Sequence, residues 1–270
     1  MSALCLTLRE SPRQRIDMSP VTPDALAGLS REAIRQIPLQ CGNRCYPLEA
    51  LFAIDGSDVE TLVIRNDSAT LDAIGARMQA GCIRVEGDAG NYLAHGMHGG
   101  SIQVEGRAGH WAASGLAGGT VAVGGDCGDF AGAAQPGDRR GMLGGALLIR
   151  GNAGDRLGDH MRRGQILVRG NAGSYCGSRM IAGTVALLGS PGHSAGYAMR
   201  RGTLLCSRLP DSLPPTFGDC GEHELGFMRL LLAFLQDLDG EFAQFAAGTR
   251  LRRFVGDQAA RGNGELLAPV

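Results

Sequence analysis

The chain contains no lysine among its 270 residues, so that all 26 of its basic residues are arginines. A Schiff-base lysine and the lysine of a phosphate-binding loop are therefore excluded. Aromatic residues make up only 5% of the sequence, and the core must be built from aliphatic side chains. The formal net charge of −1 gives no bulk attraction to nucleic acid or to an anionic membrane, and we expect neither as a partner.

Targeting segments and long hydrophobic runs are also missing. The start, MSALCLTLRE, has no basic stretch followed by an apolar one, and the longest apolar stretch, near Leu225 to Leu235, is interrupted by Arg229. A stretch of this length is too short to cross a bilayer. We therefore expect a cytoplasmic protein whose eight cysteines are mostly reduced thiols.

Glycine is abundant, at 43 residues, and it marks an internal repeat between residues 78 and 207. A glycine, five residues of strand character and a second glycine recur, as in GCIRVEG at 81–87 and GQILVRG at 164–170. The leading glycines are Gly81, Gly100, Gly119, Gly145, Gly164, Gly183 and Gly202. Their spacing is 19 residues except for one interval of 26, which predicts a seven-residue insertion near 130–141.

The second and fourth residues after each leading glycine are apolar, as at Ile83 and Val85, which indicates a strand with one buried face. Strands this short are unstable alone, and stacking buries their apolar sides in one continuous core. The predicted fold is mainly β: a right-handed parallel β-helix of about seven 19-residue turns over 78–208. A small N-terminal α+β cap (1–77) precedes it, and a linker, a C-terminal helix and a tail (209–270) follow.

Three further columns repeat with the same period. The residue three before the leading glycine is Met78, Met97, Leu116, Met142, Met161, Met180 or Met199, which predicts an internal ladder, with a thioether metal site as the alternative. The column Tyr92, Trp111, Phe130, Arg156 and Tyr175 predicts an aromatic ladder with a cation–π contact. The outward strand position becomes apolar at Leu148, Leu167, Ala186 and Leu205, so we expect another chain or the C-terminal helix to cover it.

The flanking segments do not repeat. Strands are predicted for LCLTL (4–8), PLEALFAI (47–54) and TLVIRND (61–67), the last as an imperfect first turn of the coil. A helix is predicted from Thr22-Pro23 to a point before Pro38. A second, apolar helix is predicted from about Glu222 to Phe245, and a final strand within 250–267.

No set of side chains in the sequence forms a recognisable reactive site. Cys41 and Cys45 lack the spacing of a metal or cluster motif, and His95 and His98 lack a third ligand nearby. The column that contains His110 and His193 is otherwise Asn, Asp and Ser, which is typical of solvated turns. We therefore predict no catalytic residue and no metal site, and the cofactor-binding residues stay unassigned.

The pattern G-x-x-M-x-x-G-x-x-x-x-x-G, as in GARMQAGCIRVEG (75–87), resembles the C-terminal β-helical domain of glutamate synthase and, more closely, the C subunit of formylmethanofuran dehydrogenase. The flanks TPDALAGLSREAIRQIPLQCGN (22–43), LEALFAIDG (48–56) and the closing RRFVGD…GNGEL are similar to that protein, so the resemblance covers nearly the whole chain. Ala94 and Ala113 depart from the pattern, because they replace its first glycine and put the local corner geometry in question.

The resemblance implies the non-catalytic structural C subunit of a formyltransferase/hydrolase complex, beside the A, B and D subunits as partners. In such a complex the partners move formyl from formyl-tetrahydromethanopterin to methanofuran and release formate, so methanofuran and tetrahydromethanopterin are its cofactors and this chain binds none. The arginine-only, GC-biased composition favours this bacterial setting. The first alternative is the C subunit of a molybdenum or tungsten formylmethanofuran dehydrogenase. The second, from another class, is a stand-alone metal-dependent enzyme using His95, His98 and nearby cysteines.

The remaining hypothesis concerns six arginines. They are Arg150 and Arg169, in one outward column, and Arg162, Arg163, Arg200 and Arg201, which precede leading glycines. Together they could attract an anionic carrier such as a polyglutamate-tailed cofactor; the alternative is an ordinary solvated surface.

Overall fold

The computed structural model describes residues 2–66, 68–245 and 250–270, and within these ranges the chain is mainly β. Before the repeats lie β1 (Ala3–Leu8), β2 (Ile16–Asp17), β3 (Pro38–Cys41), β4 (Arg44–Pro47), β5 (Phe52–Asp55), β6 (Asp58–Arg65) and β7 (Leu71–Asp72). The repeats contain β8 (Cys82–Glu86), β9 (Ser101–Val104), β10 (Thr120–Val123), β11 (Ala146–Ile149), β12 (Gln165–Val168), β13 (Thr184–Leu187) and β14 (Thr203–Cys206). After them come β15 (Gly218–His223), β16 (Leu251–Gly256) and β17 (Gly264–Pro269). The helices are α1 (Pro23–Leu26), α2 (Arg31–Arg35), α3 (Leu48–Leu51) and α4 (Met228–Leu238), with 3-10 helices at Gly240–Gln244 and Gln258–Ala260.

Thirteen of the described strands form one sheet, which we call the repeat sheet. Its order is β15-β16-β17-β14-β13-β12-β11-β10-β9-β8-β6-β1-β5, and a smaller sheet has the order β4-β3-β2-β7. Pairing in the repeat sheet is parallel from β1 to β17, and only its two ends are antiparallel. The predicted mainly β, largely parallel fold is confirmed at this level.

The register of the repeat sheet follows the 19-residue period. Ile83 pairs with Ile102, and Val121 pairs with Leu147 across the insertion, so equivalent apolar side chains lie in one buried column. The sheet also continues beyond the seven repeats, because Leu62 of β6 pairs with Ile83 and Leu266 of β17 pairs with Leu204.

Two more segments of each repeat bond to their equivalents in the next one. Isolated parallel bridges connect Ala89, Ala108, Cys127, Ala153, Ala172 and Pro191 in sequence. In the other column the Arg156 N–H donates to the Ser174 carbonyl at 2.8 Å, and the Tyr175 N–H donates to the His193 carbonyl at 2.8 Å. The methionine column with Leu116 is fully buried in the main core cluster, as expected of an internal ladder.

The insertion is placed where the spacing predicts it. The Met142 N–H donates to the Gly132 carbonyl at 2.8 Å, the bond that Met161 makes to Gly158 without an insertion, so the extra residues leave and rejoin the repeat between Gly132 and Met142. The corner itself tolerates alanine: Ala94 adopts a φ of 55°, in the left-handed region that the glycines at this position occupy.

The aromatic column forms the predicted ladder. Trp111 stacks on Tyr92 with ring centroids 5.5 Å apart and on Phe130 at 4.7 Å, and the Arg156 guanidinium lies 4.8 Å from the Tyr175 ring centroid. All five residues have positive φ, between 57° and 63°, although none is a glycine. Stacking with the neighbouring repeats offsets part of the cost of this backbone conformation.

The C-terminal helix covers the apolar outward column, which confirms the second of the two expectations for that surface. Leu167, Ala186 and Leu205 are buried in one cluster with Met228, Leu232 and Leu235 of α4. The helix is shorter than predicted: α4 spans Met228–Leu238, residues 218–223 form β15, and 240–244 form a 3-10 helix. Residues 246–249 of the adjoining segment lie outside the described residues.

Two predictions in the N-terminal flank are wrong in detail. The predicted single helix from Thr22 is divided into α1 and α2, because Gly28 adopts a φ of 78° and the Ser30 side chain caps a new helix by accepting from the Ala33 N–H. PLEALFAI is not one strand, because Pro47 ends β4, residues 48–51 form α3, and β5 begins only at Phe52. The strands predicted at 4–8 and 61–67 correspond to β1 and β6, with Asp67 outside the described residues.

Candidate functional site

The histidines singled out by the sequence are not joined by further metal ligands. His95 Nδ1 lies 3.0 Å from the Ser114 carbonyl oxygen and 3.2 Å from Gln135 Nε2, a residue of the insertion, and His98 is exposed. Within residues 2–66, 68–245 and 250–270, no three His, Cys, Asp or Glu side chains converge in a way that could hold a metal ion. His95 faces a polar cleft of about 610 Å³ beside Asp17, Asp24 and Arg77.

The cysteines are dispersed as free thiols. Cys41 and Cys45 lie on the paired strands β3 and β4. Cys127, Cys176 and Cys206 are buried in the repeat core. Burial raises the pKa of the Cys127 thiol to about 12, with a smaller contribution from the nearby Asp126 carboxylate. Such a thiol is protonated near neutral pH and is a poor nucleophile.

Two polar columns, one of them the His110 and His193 column predicted as solvated turns, have a structural role that sequence reasoning missed. The side-chain oxygen of one repeat accepts the backbone N–H of the equivalent residue in the next, as from Asn171 to Asn152 at 2.9 Å and from Ser190 to Asn171 at 3.0 Å. A second ladder connects Asp129, Asp155 and Ser174 in the same way. The signal for an acceptor ladder was the restriction of the His110 column to Asn, Asp, Ser and His, and the same residue types in the Asn171 column at every position except Arg107.

A buried carboxylate was also missed. Asp159 is only 4% exposed, and it accepts hydrogen bonds from Ser178 Oγ at 2.7 Å and from Arg179 Nε at 2.9 Å. The backbone carbonyl oxygen of Asp159 accepts the Ala134 N–H at 3.1 Å, and this hydrogen bond anchors the insertion to the next repeat. The 20-residue separation of Asp159 and Arg179, one residue more than the period, could have indicated the contact.

Four of the six arginines in the carrier hypothesis lie around one cleft, and two do not. Arg169 donates to Asp239, and Arg150 is an exposed residue elsewhere. The cleft, which we call the arginine cleft, has a volume of about 740 Å³. It is lined by Arg140, Leu143, Arg162, Arg163, Ile181, Ala182, Arg200 and Arg201.

The outer face of α4 is an exposed apolar surface. Leu230 is 79% exposed, and Phe227 and Phe234, three residues before and four after it, are 45% and 44% exposed. Their helical spacing places them on the side of α4 opposite Met228, Leu232 and Leu235. No helix within the described parts of the chain has the length and hydropathy needed to span a membrane.

These observations define a repeat protein built on one long, largely parallel sheet, with histidines and cysteines dispersed among the described residues. No protein-family model matches the sequence. The C subunit of the formyltransferase/hydrolase complex Fhc of Methylorubrum extorquens is 52% identical over 267 residues, which are 98% of this chain and 99% of that protein. The chain therefore belongs to the family formed by the C subunits of formyltransferase/hydrolase complexes.

Two further comparisons agree with this family. A chain in the X-ray crystal structure of the formyltransferase/hydrolase complex FhcABCD from M. extorquens, in complex with methylofuran, matches with a TM-score of 0.92 and 44% identity, and the match covers 98% of this chain and 99% of that one. The C subunit of the molybdenum-containing formylmethanofuran dehydrogenase 1 of Methanosarcina barkeri is 35% identical over 98 residues, 34% of this chain and 33% of that protein. The similarity to the dehydrogenase protein is thus confined to about a third of each chain.

Proposed function

We propose that this chain is the structural, non-catalytic C subunit of a formyltransferase/hydrolase complex and assembles with the A, B and D subunits. The partners would transfer formyl from formyl-tetrahydromethanopterin to methanofuran or a related furan carrier and release formate in the cytoplasm. The observation that carries the proposal is the 52% identity to the Fhc protein over 98% of the chain. The dispersed titratable groups and the exposed apolar face of α4 give it physical support, because large exposed apolar side chains mark interaction surfaces.

We propose further that the repeats close into a right-handed parallel β-helix over 78–208. Support comes from the three bonded segments in each repeat and from the buried methionine column between them. Residues 1–77 and 209–270 would cap the coil, since an uncovered sheet end invites association. An experimental density map tests this directly: a left-handed winding, or repeats that do not enclose the methionine column, would contradict it.

The decisive experiment for the function is purification of the tagged chain from its source cells under native conditions. We expect three partners in fixed stoichiometry and release of formate from formyl-tetrahydromethanopterin by the purified assembly. A lone chain with that activity, or a chain that copurifies with none of the three partners, would contradict the proposal.

The dehydrogenase alternative has a specific observation in its favour, the 35% identity to the C subunit of the molybdenum enzyme over 98 residues. A partner that contains molybdopterin and iron–sulfur clusters would establish it and replace the hydrolytic assignment. The metal-dependent alternative is tested in the same preparation with His95→Ala/His98→Ala. We expect this variant to retain the activity and metal content of the assembly, whereas stoichiometric metal on the lone chain that the variant loses would favour a stand-alone enzyme.

A further inference from the structure

The arginine cleft concentrates positive charge in a chain whose net charge is −1. Five arginines line it, and none of them forms an ion pair with a described residue. Nε of the half-buried Arg162 is moreover shielded from solvent without a hydrogen-bond partner among the described residues. Neighbouring guanidinium groups repel one another, and a buried donor without a partner is unfavourable, so the cleft is suited to an anionic ligand.

The repeat fixes the spacing of these charges. Arg162-Arg163 and Arg200-Arg201 occupy the same two positions in repeats that are separated by one intervening repeat, whose residues there are Ile181 and Ala182. Parallel neighbours lie about 4.8 Å apart, which places the two pairs about 9.6 Å apart. The backbone is held at both pairs, because the Arg162 N–H donates to the Met142 carbonyl at 2.8 Å and the Arg200 N–H donates to Met180 at 2.9 Å.

This geometry selects among anions. A single phosphate or sulfate would leave the apolar residues between the pairs without a partner, and a nucleic acid would need a longer basic surface than two arginine pairs provide. The lining between the pairs is apolar, at Ile181 and Ala182, so the ligand must combine separated acidic groups with an apolar middle. Seven residues of an α-helix, close to two turns, rise about 10.5 Å, which is near this separation and leaves room for an apolar side chain between the two acidic groups.

We propose that the arginine cleft binds an acidic amphipathic segment of a partner protein in the assembly. Its carboxylates would form bidentate hydrogen bonds with the two arginine pairs, and its apolar side chains would rest on Ile181 and Ala182. The source of the segment rests on the proposed function, since a partner exists only if the chain is part of an assembly.

The first test maps what lies in the cleft of the intact assembly. A photoreactive phenylalanine derivative in place of Ile181 is irradiated in the tagged complex, and the crosslinked peptide is identified by mass spectrometry. We expect a partner segment in which acidic residues flank apolar ones. A crosslink to a segment without excess acidic residues, to nucleic acid or to a small polyanionic carrier overturns the inference, as does an intact assembly without any crosslink at this position. Failure of the wild-type chain to assemble overturns the proposed function instead.

The second test measures the charge dependence with a matched control. Arg163→Glu/Arg201→Glu reverses one exposed charge in each pair, and Arg13→Glu/Arg208→Glu reverses two exposed charges outside the cleft. The probe is a fluorescent 12-residue helical peptide with Glu pairs seven residues apart and Leu between them. We expect the cleft variant to weaken its binding to the full chain by about ten-fold or more and the control to change it less than about two-fold.

Folding is monitored in both variants by the unfolding temperature, and Arg163→Gln/Arg201→Gln replaces the charge reversal if that variant fails to fold. A version of the peptide with Gln in place of Glu should bind no better than background. Equal affinity for the two peptides, or equal weakening by the cleft and control variants, would overturn the inference.

Discussion

The guanidinium of Arg169 holds the carboxylate of Asp239 through two hydrogen bonds, from Nε to Oδ2 at 2.9 Å and from Nη2 to Oδ1 at 2.7 Å. Asp239 also accepts the Glu241 N–H and so caps the 3-10 helix that follows α4. The contact fastens the C-terminal segment to the residue directly after β12. It lies beside the apolar cluster through which α4 covers the repeat sheet.

The first prediction concerns the pH dependence of this contact. Burial favours a higher pKa for Asp239, but the hydrogen bonds from Arg169 and the Glu241 N–H outweigh it, and the net pKa is lowered. The folded chain thus binds this proton less tightly than the unfolded chain. The resulting stability is present above the unfolded-state pKa of about 3.9 and is lost as the pH falls through the lower folded-state pKa.

Asp239→Asn should therefore lower the free energy of unfolding by about 1–3 kcal/mol near neutral pH. Urea unfolding of the wild type and the variant, repeated from pH 7 downward, should give a difference that shrinks below about pH 4. The control Asp237→Asn removes an exposed carboxylate on α4 and should have little effect at any pH. A difference between wild type and Asp239→Asn that stays constant down to pH 2 would disprove the assignment.

The second prediction separates backbone conformation from steric contact at a repeat corner. Gly164 and Gly137 both have a φ of 94°, but a Cβ at Gly164 would lie 2.7 Å from the Gly145 carbonyl oxygen, whereas one at Gly137 meets nothing within 4 Å. Gly137→Ala should lower the free energy of unfolding by about 1–2 kcal/mol, because alanine is strained at this positive φ and meets no other atom. Gly164→Ala should lower the free energy of unfolding clearly more than Gly137→Ala, because neighbouring repeats must also move apart.

Chemical denaturation of the two glycine variants provides the measurement. Equal losses would mean that the close approach of the repeats at Gly164 contributes nothing to stability.

Sequence reasoning was most successful for residues that recur at the same position in every repeat. Apolar alternation after each leading glycine was sufficient to place β8 to β14, because these strands have equivalent neighbours in the sheet, and the one longer glycine interval placed the insertion. The same period grouped Arg162-Arg163 with Arg200-Arg201, which precede leading glycines two periods apart. Arg140 could not be added, since it lies inside the insertion and belongs to no column.

Two of the failures share a physical cause, which is dependence on contacts outside the period. Arg169 and Asp239 are 70 residues apart, and their contact exists only because α4 docks on the sheet. Residues 218–223 form β15 and extend beyond the start of the predicted helix, because β16 supplies an antiparallel partner. The segment 48–51 is different: its Leu-Glu-Ala-Leu sequence favours helix intrinsically, and its apolar residues are a weaker strand signal than the prediction assumes.

The third prediction concerns the acceptor ladder. Asn171 Oδ1 accepts the Ser190 N–H at 3.0 Å, and a leucine of similar size cannot replace that acceptor. Asn171→Leu should destabilise the chain by about 0.5–1.5 kcal/mol. Asn171→Asp keeps a side-chain oxygen in place as the acceptor, so it should destabilise the chain much less than Asn171→Leu does. Thermal unfolding of both variants tests this, and an aspartate variant as unstable as the leucine variant would show that the ladder depends on more than an acceptor.

The fourth prediction concerns which thiols react. Burial raises the pKa values of Cys127, Cys176 and Cys206 to about 12, with further contributions from Asp126 at Cys127 and from Cys206 at Cys176. At pH 8 these three are protonated and shielded, whereas Cys45, Cys82 and Cys220 are exposed. Brief treatment of the folded full chain with iodoacetamide at pH 8 should label the exposed three, and peptide mass spectrometry should find the buried three unmodified until urea is added. Early labelling of Cys127 or Cys176 in the folded chain would mean that the repeats open locally without global unfolding, in conflict with a continuously packed core.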